Sequence, residues 1–291
     1  MMDKNEVDRL KQEFSDNGFV IIRNGISEDI LVQLNAELQN WVEQSKEYDA
    51  PFGEMLDGRP RFDLEEKSHS KENPALRRIG APIEVSDVFL EFVRKNRGLD
   101  LTHQIFGTAI KLWASKINLK LPNSGTVVKY HQDFPFDPHS NDDMMTVLFF
   151  LDDVTEENGP LQVVPESHKG PLYSHYQEGV FTGAVDADIQ QECREKSVSC
   201  TGNAGDICLM HANTLHGSGQ NLTDKSRNLL IVTYVAEDAA PLVANPIPHK
   251  YDSEIVYGEK SGKIRSKAFT LELPEYPKEA SFFAQQSKQV S

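Results

Sequence analysis

Between about residues 109 and 240 the chain is a succession of short runs rich in β-branched and aromatic residues, each cut off by turn residues. The runs are Ala109 to Leu121, Gly125 to His131, Met145 to Leu151, Leu161 to Val164, Asp206 to Met210 and Asn228 to Val235; PNSG, EENGP and NLTDKS interrupt them. Side chains branched at Cβ suit the pleated surface of a strand, whereas Gly, Pro and Asn supply the backbone angles that reverse a chain. Many short strands without helices alternating between them exclude a βαβ design and predict an antiparallel sandwich or barrel.

The N-terminal third carries a different rhythm. Val7, Leu10 and Phe14 recur at helical spacing, Gly18 to Ile22 reads as a buried strand, and Ser27-Glu28-Asp29 opens a helix with Ile30, Leu31, Leu34, Leu38 and Trp41 on one face. Residues 45 to 80 are polar and contain Pro and Gly, and are expected to form a long irregular segment, either a mobile surface excursion or part of a lid over a site. One further helical stretch is expected over about 85 to 107. No repeat or linker divides the chain. The expectation is one domain over 1–291: a mainly helical part to about 108, a β-sandwich core to about 240, and a C-terminal extension over 241–291.

Composition narrows the function classes. A chain of 291 residues can bury a full core without disulfides, and no apolar run reaches the roughly 18 residues a bilayer span needs. The net charge of −15 excludes a generic nucleic-acid or anionic-membrane surface. Cys193, Cys200 and Cys208 are odd in number and form no CxxC pair, and the polar start MMDKNEVDRLKQEF has no secretory pattern. A cytoplasmic setting with reduced thiols is expected. Oligomeric state is not legible.

The chemistry is concentrated in two places. In Tyr130-His131-Gln132-Asp133, residues i and i+2 of a strand face the same way, so His131 and Asp133 set an imidazole beside a carboxylate. Downstream, Gly205 to His211 forms an apolar strand, His216 opens the glycine-rich HGSGQN, and Arg227 starts the next strand. Two histidines and one carboxylate on neighbouring strands leave three positions open on Fe(II), for a cosubstrate and O₂. The second histidine is either His211 or His216; a separation of five does not decide between them once the chain turns. Arg227 adds a guanidinium suited to the far carboxylate of 2-oxoglutarate, with Ser218 as a further donor.

Taken together, HQD, NGPLQVVPESHKG, GD, HGSGQN and the arginine resemble the phytanoyl-CoA dioxygenase family of Fe(II)/2-oxoglutarate oxygenases; GFVI and LPNSG extend the resemblance over about residues 12 to 240. The resemblance implies a double-stranded β-helix, the cupin-like jelly roll. It implies His131, Asp133 and His216 as metal ligands and catalytic centre. Arg227 and Ser218 match the residues that hold the cosubstrate carboxylate. The implied cofactors are Fe(II), 2-oxoglutarate and O₂, with ascorbate as reductant, and the implied reaction is hydroxylation of an unactivated C–H bond of a small molecule with release of succinate and CO₂. The chain departs from many relatives at Leu148, where they carry tryptophan. Family halogenases lack the carboxylate ligand, so Asp133 favours hydroxylation. Acyl-CoA thioesters, amino-acid derivatives, phosphonates and secondary metabolites all fit the family. A non-catalytic metal-binding jelly roll and an oxygenase of proteins are the alternatives.

Other polar residues have plainer readings. His211 and His168 are expected to be structural, Asp137-Pro138-His139 a loop over the site mouth, Asp142 and Asp143 solvated, and Asp206 a backbone cap. Lys116, Asn118 and Lys120 alternate along one strand and are weak candidates to reach cosubstrate or substrate. Arg59, Arg61, Arg77 and Arg78 offer charge to an anionic substrate, with a solvated surface role the plainer reading of each.

Overall fold

The structure is a computed structural model that describes residues 3–123 and 125–275. Residues 1 and 2, Ser124 of LPNSG and residues 276–291 of the expected extension lie outside the described residues. Helix α1 (Lys4–Asn17) is capped by the Asp3 carboxylate, which accepts from Glu6 N, and ends at Gly18 in the left-handed region. Strand β1 (Phe19–Ile22) follows, then α2 (Glu28–Ser45), β2 (Phe52–Leu56), β3 (Arg59–Leu64) and β4 (Leu76–Gly80). The segment expected to be irregular thus forms three strands. Its polar look arises because β2 to β4 continue the large sheet and place charged side chains along it, a pattern with little hydrophobic alternation to read.

The stretch expected as one helix is two, α3 (Asp87–Arg94) and α4 (Arg97–Phe106). Asn96 makes the break: its Oδ1 accepts from Leu99 N at 2.8 Å, capping α4, and its Nδ2 donates to the Phe92 carbonyl and to Tyr234 Oη. A short amide side chain competes with the helix backbone and so starts a new helix.

The β core comprises β5 (Ile110–Lys120), β6 (Val128–His131), β7 (Met144–Phe150), β8 (Leu161–Val163), the short pair β9 (Tyr176–Gln177) and β10 (Val180–Phe181), helix α5 (Ala187–Lys196), β11 (Val198–Cys200), β12 (Ile207–His211), β13 (His216–Ser218), β14 (Arg227–Ala236) and β15 (Ile255–Tyr257). The large sheet runs β1-β12-β7-β14-β5-β4-β3-β2, with β15 added on β5, and the small sheet runs β11-β8-β13-β6. Neighbours in both are antiparallel. Two facing antiparallel sheets with these crossovers form the jelly roll that the sequence implies.

Strand β7 is buried along its whole length because both faces are covered. Met145, Val147 and Phe149 pack with helix residues such as Phe92 and Leu99, whereas Leu148 and Phe150 point between the sheets, toward Leu161, Val163 and Met210. The helices therefore seal one side of the large sheet, and the other side is left to form an interior with the small sheet.

Candidate active site

The space between the sheets is a cavity of about 460 Å³. His131 ends β6 and His216 opens β13, and the two are direct register partners in the small sheet. Their ring centroids lie 4.2 Å apart. Asp133 follows two residues later; the amide N–H groups of Asp133 and Phe134 both donate to the Ala212 carbonyl, at 2.9 and 3.0 Å. Its Oδ1 lies 3.6 Å from His131 Nε2 and 3.5 Å from His216 Nε2. One potential ligand atom from each of the three residues falls within 4.8 Å of the others.

The remaining atoms of these side chains have structural partners. His131 Nδ1 bonds the Lys129 carbonyl and His216 Nδ1 the Thr214 carbonyl, each at 2.9 Å. A proton on Nδ1 in both rings presents Nε2 as the electron-pair donor. Thr146 Oγ1 donates to Asp133 Oδ2 at 2.6 Å, which leaves Oδ1 facing the two imidazoles. Burial, then the charge of His131, holds His216 down at about 4, so this ring is neutral at physiological pH. Burial opposes ionisation of Asp133, but His216 and His131 outweigh it and hold the carboxyl far below its usual range. Two imidazoles and one carboxylate, gathered on one side of a shared point, form the donor set that divalent iron takes with positions left open.

The other end of the cavity is cationic. Arg227 and Lys120 are register partners on β14 and β5, and both are buried. Arg227 Nη2 donates to the Gly159 carbonyl at 2.7 Å, and its Nε is buried without a partner. Lys120 Nζ donates to Ser218 Oγ at 2.7 Å and to the Gly219 carbonyl. Burial, then the neighbouring Arg227, pushes Lys120 down to about 7; burial lowers Arg227 to about 10. Among the described residues no carboxylate forms an ion pair with either. Two buried cations and an orphaned guanidinium N–H fit a carboxylate ligand. Leu148, Leu161, Met210 and Leu229 supply apolar wall around the cavity.

The structure thus gathers His131, Asp133 and His216, and groups Arg227 with Ser218. His211 lies outside that cluster and accepts from the Asn213 amide at 3.0 Å. Of Asp137-Pro138-His139, Asp137 lines the cavity, whereas His139 is fully buried, with its ring edge-on to Trp113. Asp142 and Asp143 pair with Lys267 and Arg265 rather than with solvent. Asp206 does cap backbone, accepting from Asn24 N and Asn203 N.

The arginines are not solvated surface groups either. Arg61 is buried between Glu54 and Glu84, Arg77 pairs with Asp63 and Glu65, and Arg59 and Arg78 line the cavity. Sequence reasoning passed over Thr146, whose signal is a lone hydroxyl in an apolar strand, and Gln132. The latter is fully buried and latches the HQD segment through Asn213 O, Pro171 O and Tyr173 N.

Known proteins resemble the chain in sequence and in fold. The chain is 37% identical over 73% of its length to a probable alpha-ketoglutarate-dependent hypophosphite dioxygenase of Stutzerimonas stutzeri, of which the match covers 75%. It is 29% identical over 60% of its length to an L-proline trans-4-hydroxylase of Streptomyces griseoviridis, covering 71% of that protein. Its fold matches the crystal structure of EctD from S. alaskensis with bound Fe at a TM-score of 0.65 and 20% identity, over 94% of this chain and 91% of that one. The sequence also matches the phytanoyl-CoA dioxygenase (PhyH) profile over residues 14–229. With that match and the jelly roll in agreement, the chain belongs to the phytanoyl-CoA dioxygenase family.

Proposed function

We propose that the chain is a mononuclear Fe(II)- and 2-oxoglutarate-dependent oxygenase that hydroxylates an unactivated C–H bond of a small organic molecule. Iron is held by His131, Asp133 and His216, and the far carboxylate of 2-oxoglutarate by Arg227, Ser218 and Lys120. The observation that carries this reading is the pairing, within one cavity, of an imidazole–imidazole–carboxylate cluster with two buried cations that form no ion pair among the described residues. When bound, iron and the keto acid would activate O₂, the oxidant, one of whose atoms enters succinate as CO₂ is lost and the other the substrate. The chain's own residues do the rest. The Lys129 and Thr214 carbonyls fix the ring orientations, Thr146 holds the carboxylate with one oxygen turned inward, and the apolar wall restricts water around the keto acid.

A cavity of this volume favours a compact substrate over a protein segment. Hypophosphite, proline and ectoine in the relatives' names are likewise small molecules. Oxidation of a P–H bond is the second reading, favoured by the 37% identical relative. No helix among the described residues is long and apolar enough to cross a membrane. The three cysteines are buried and unpaired, which supports a cytoplasmic setting. The test is succinate release under air with Fe(II), ascorbate and 2-oxoglutarate, in a substrate screen that includes hypophosphite. His131→Ala and Asp133→Ala are expected to abolish release and to lose Fe(II) in equilibrium dialysis; full turnover by both variants refutes the assignment.

A further inference from the structure

The wall that β4 and β5 give to the cavity carries a second set of polar groups, which the metal and cosubstrate assignments leave unused. Lys116 and Asn118 lie on the inward face of β5, in the same row as Lys120, and Arg78 is the direct register partner of Asn118 on β4. All three side chains line the cavity. Among the described residues, no side-chain hydrogen bond or ion pair reaches the Arg78 guanidinium, the Lys116 ammonium or the Asn118 amide.

The neighbours show how unusual this is. Arg77, one residue away, is matched by Asp63 at 2.8 Å and by Glu65 at 2.6 Å, and Arg61 by Glu54 and Glu84 at 2.7 Å each. The chain pairs these arginines with acids, whereas Arg78, whose register partner Asp63 pairs with Arg77 instead, forms no ion pair among the described residues. The carboxylates lining the cavity do not make up the deficit: Glu65 is engaged by Arg77, Asp133 belongs to the metal cluster, and Asp137 forms no ion pair with either cation. Arg59 adds a further positive charge there, its guanidinium donating to the Pro246 carbonyl and to no acid among the described residues.

The cost of this arrangement is visible in the titration of the groups. Burial, then the charge of Arg59, lowers Arg78 to about 10. Burial lowers Lys116 as well, against the opposing pull of Asp133, and burial followed by Asp133 raises Asp137 to about 7. Desolvated cations without a counter-charge are unfavourable in the empty protein and become favourable when an anion arrives. Such a wall is a preorganised receptor for negative charge, with an amide placed to donate beside it.

We infer that the substrate is a small oxyanion, a carboxylate or a phosphorus oxyanion, whose charged head docks on Arg78, Lys116 and Asn118 while its oxidisable end extends toward the His131–Asp133–His216 cluster. The inference deepens the oxygenase reading and rests on it for the fate of the bound molecule; the anion binding itself does not depend on turnover. It also separates this cradle from the cosubstrate end, where Arg227 and Lys120 serve a different carboxylate.

The test is calorimetric titration of the full chain, anaerobic and with saturating Mn(II) and 2-oxoglutarate so that the Arg227 end is filled. Butyrate, propylphosphonate and the neutral butyramide are the probes. At least one anion is expected to bind, more weakly as salt is added, with no comparable binding of butyramide; the ratio of butyrate to propylphosphonate identifies the preferred head group. Arg78→Met and Lys116→Met are each expected to weaken the anion by about 30-fold or more. Butyramide binding as tightly as both anions, or Met variants that bind the anions like the wild type, overturns the inference. If the Met variants do not fold, the wild-type comparison of charged and neutral probes still decides it. Succinate release by the wild type without probe reads the oxygenase assignment separately: anion binding in a chain that never releases succinate supports the cradle and removes the oxygenase.

Discussion

Lys120 shows what burial does to a single charge. In the free protein its ammonium is held at about 7 by desolvation and by Arg227, so near neutral pH it is protonated in only part of the molecules. A bound carboxylate stabilises the charged form and raises that value, so 2-oxoglutarate binding takes up a proton. The sign follows: above pH 7 each unit costs up to about tenfold in affinity, until the pKa of the complex is reached. His216, held near 4, is already neutral throughout this range and does not confuse the profile. Titrations between pH 6.5 and 9 in buffers of different ionisation enthalpy are expected to show the uptake, and Lys120→Met to bind more weakly with a flat profile. A steep profile retained by that variant assigns the proton elsewhere. In the sequence Lys120 was one of three alternating polar residues, and nothing local distinguished it. Its role depends on Arg227, more than a hundred residues away yet opposite it in the sheet.

At the scale of elements, the turn between β7 and β8 reaches into the cosubstrate end. Gly159 has φ +73, and a Cβ there would lie 2.7 Å from Lys120 Cδ and 2.8 Å from the Gly219 carbonyl oxygen. Its own carbonyl accepts the Arg227 bond. Gly159→Ala is therefore expected to cost about 1–2 kcal/mol from backbone conformation alone. It should also raise the KM for 2-oxoglutarate, because the displaced lysine and arginine are the groups that receive it. Urea denaturation reads the first effect and succinate release the second; an unchanged KM separates the turn from the site. The Asn-Gly signal marked this turn in the sequence. The strands β2 to β4 and the split between α3 and α4 were not legible. Sheet extension carries no hydrophobic period when its exposed face is charged, and the split rests on an Asn96–Tyr234 bond between residues 138 apart.

For the molecule as a whole, Arg61 ties the added strands to the body. Its guanidinium is buried, pairs with Glu84 at 2.7 Å and donates to the Gly80 and Ala81 carbonyls, joining β3 to the end of β4 and the turn before α3. Removing one partner of a buried pair leaves the other charge and the carbonyls unsatisfied, so Arg61→Met is expected to destabilise the protein by about 3 kcal/mol in chemical denaturation. A loss no larger than that of an exposed ion pair contradicts this picture of the joint.

By itself the sequence determined the succession of short β-branched runs and turns in the core, the i, i+2 placement of His131 and Asp133, and the glycine-rich turn that His216 opens. These are local properties, set by the two-residue repeat of a strand and the backbone freedom of a turn, and order and spacing then indicated the family. Only the tertiary structure decided which lysine stands beside Arg227, and that of the four arginines Arg61 and Arg77 take acids while Arg59 and Arg78 form no ion pair among the described residues. Those outcomes depend on strand register and on who shares a cavity, and residues adjacent in space there are far apart in the chain. The physical reason is that burial makes a charge consequential, and burial belongs to the assembled sheets rather than to any segment.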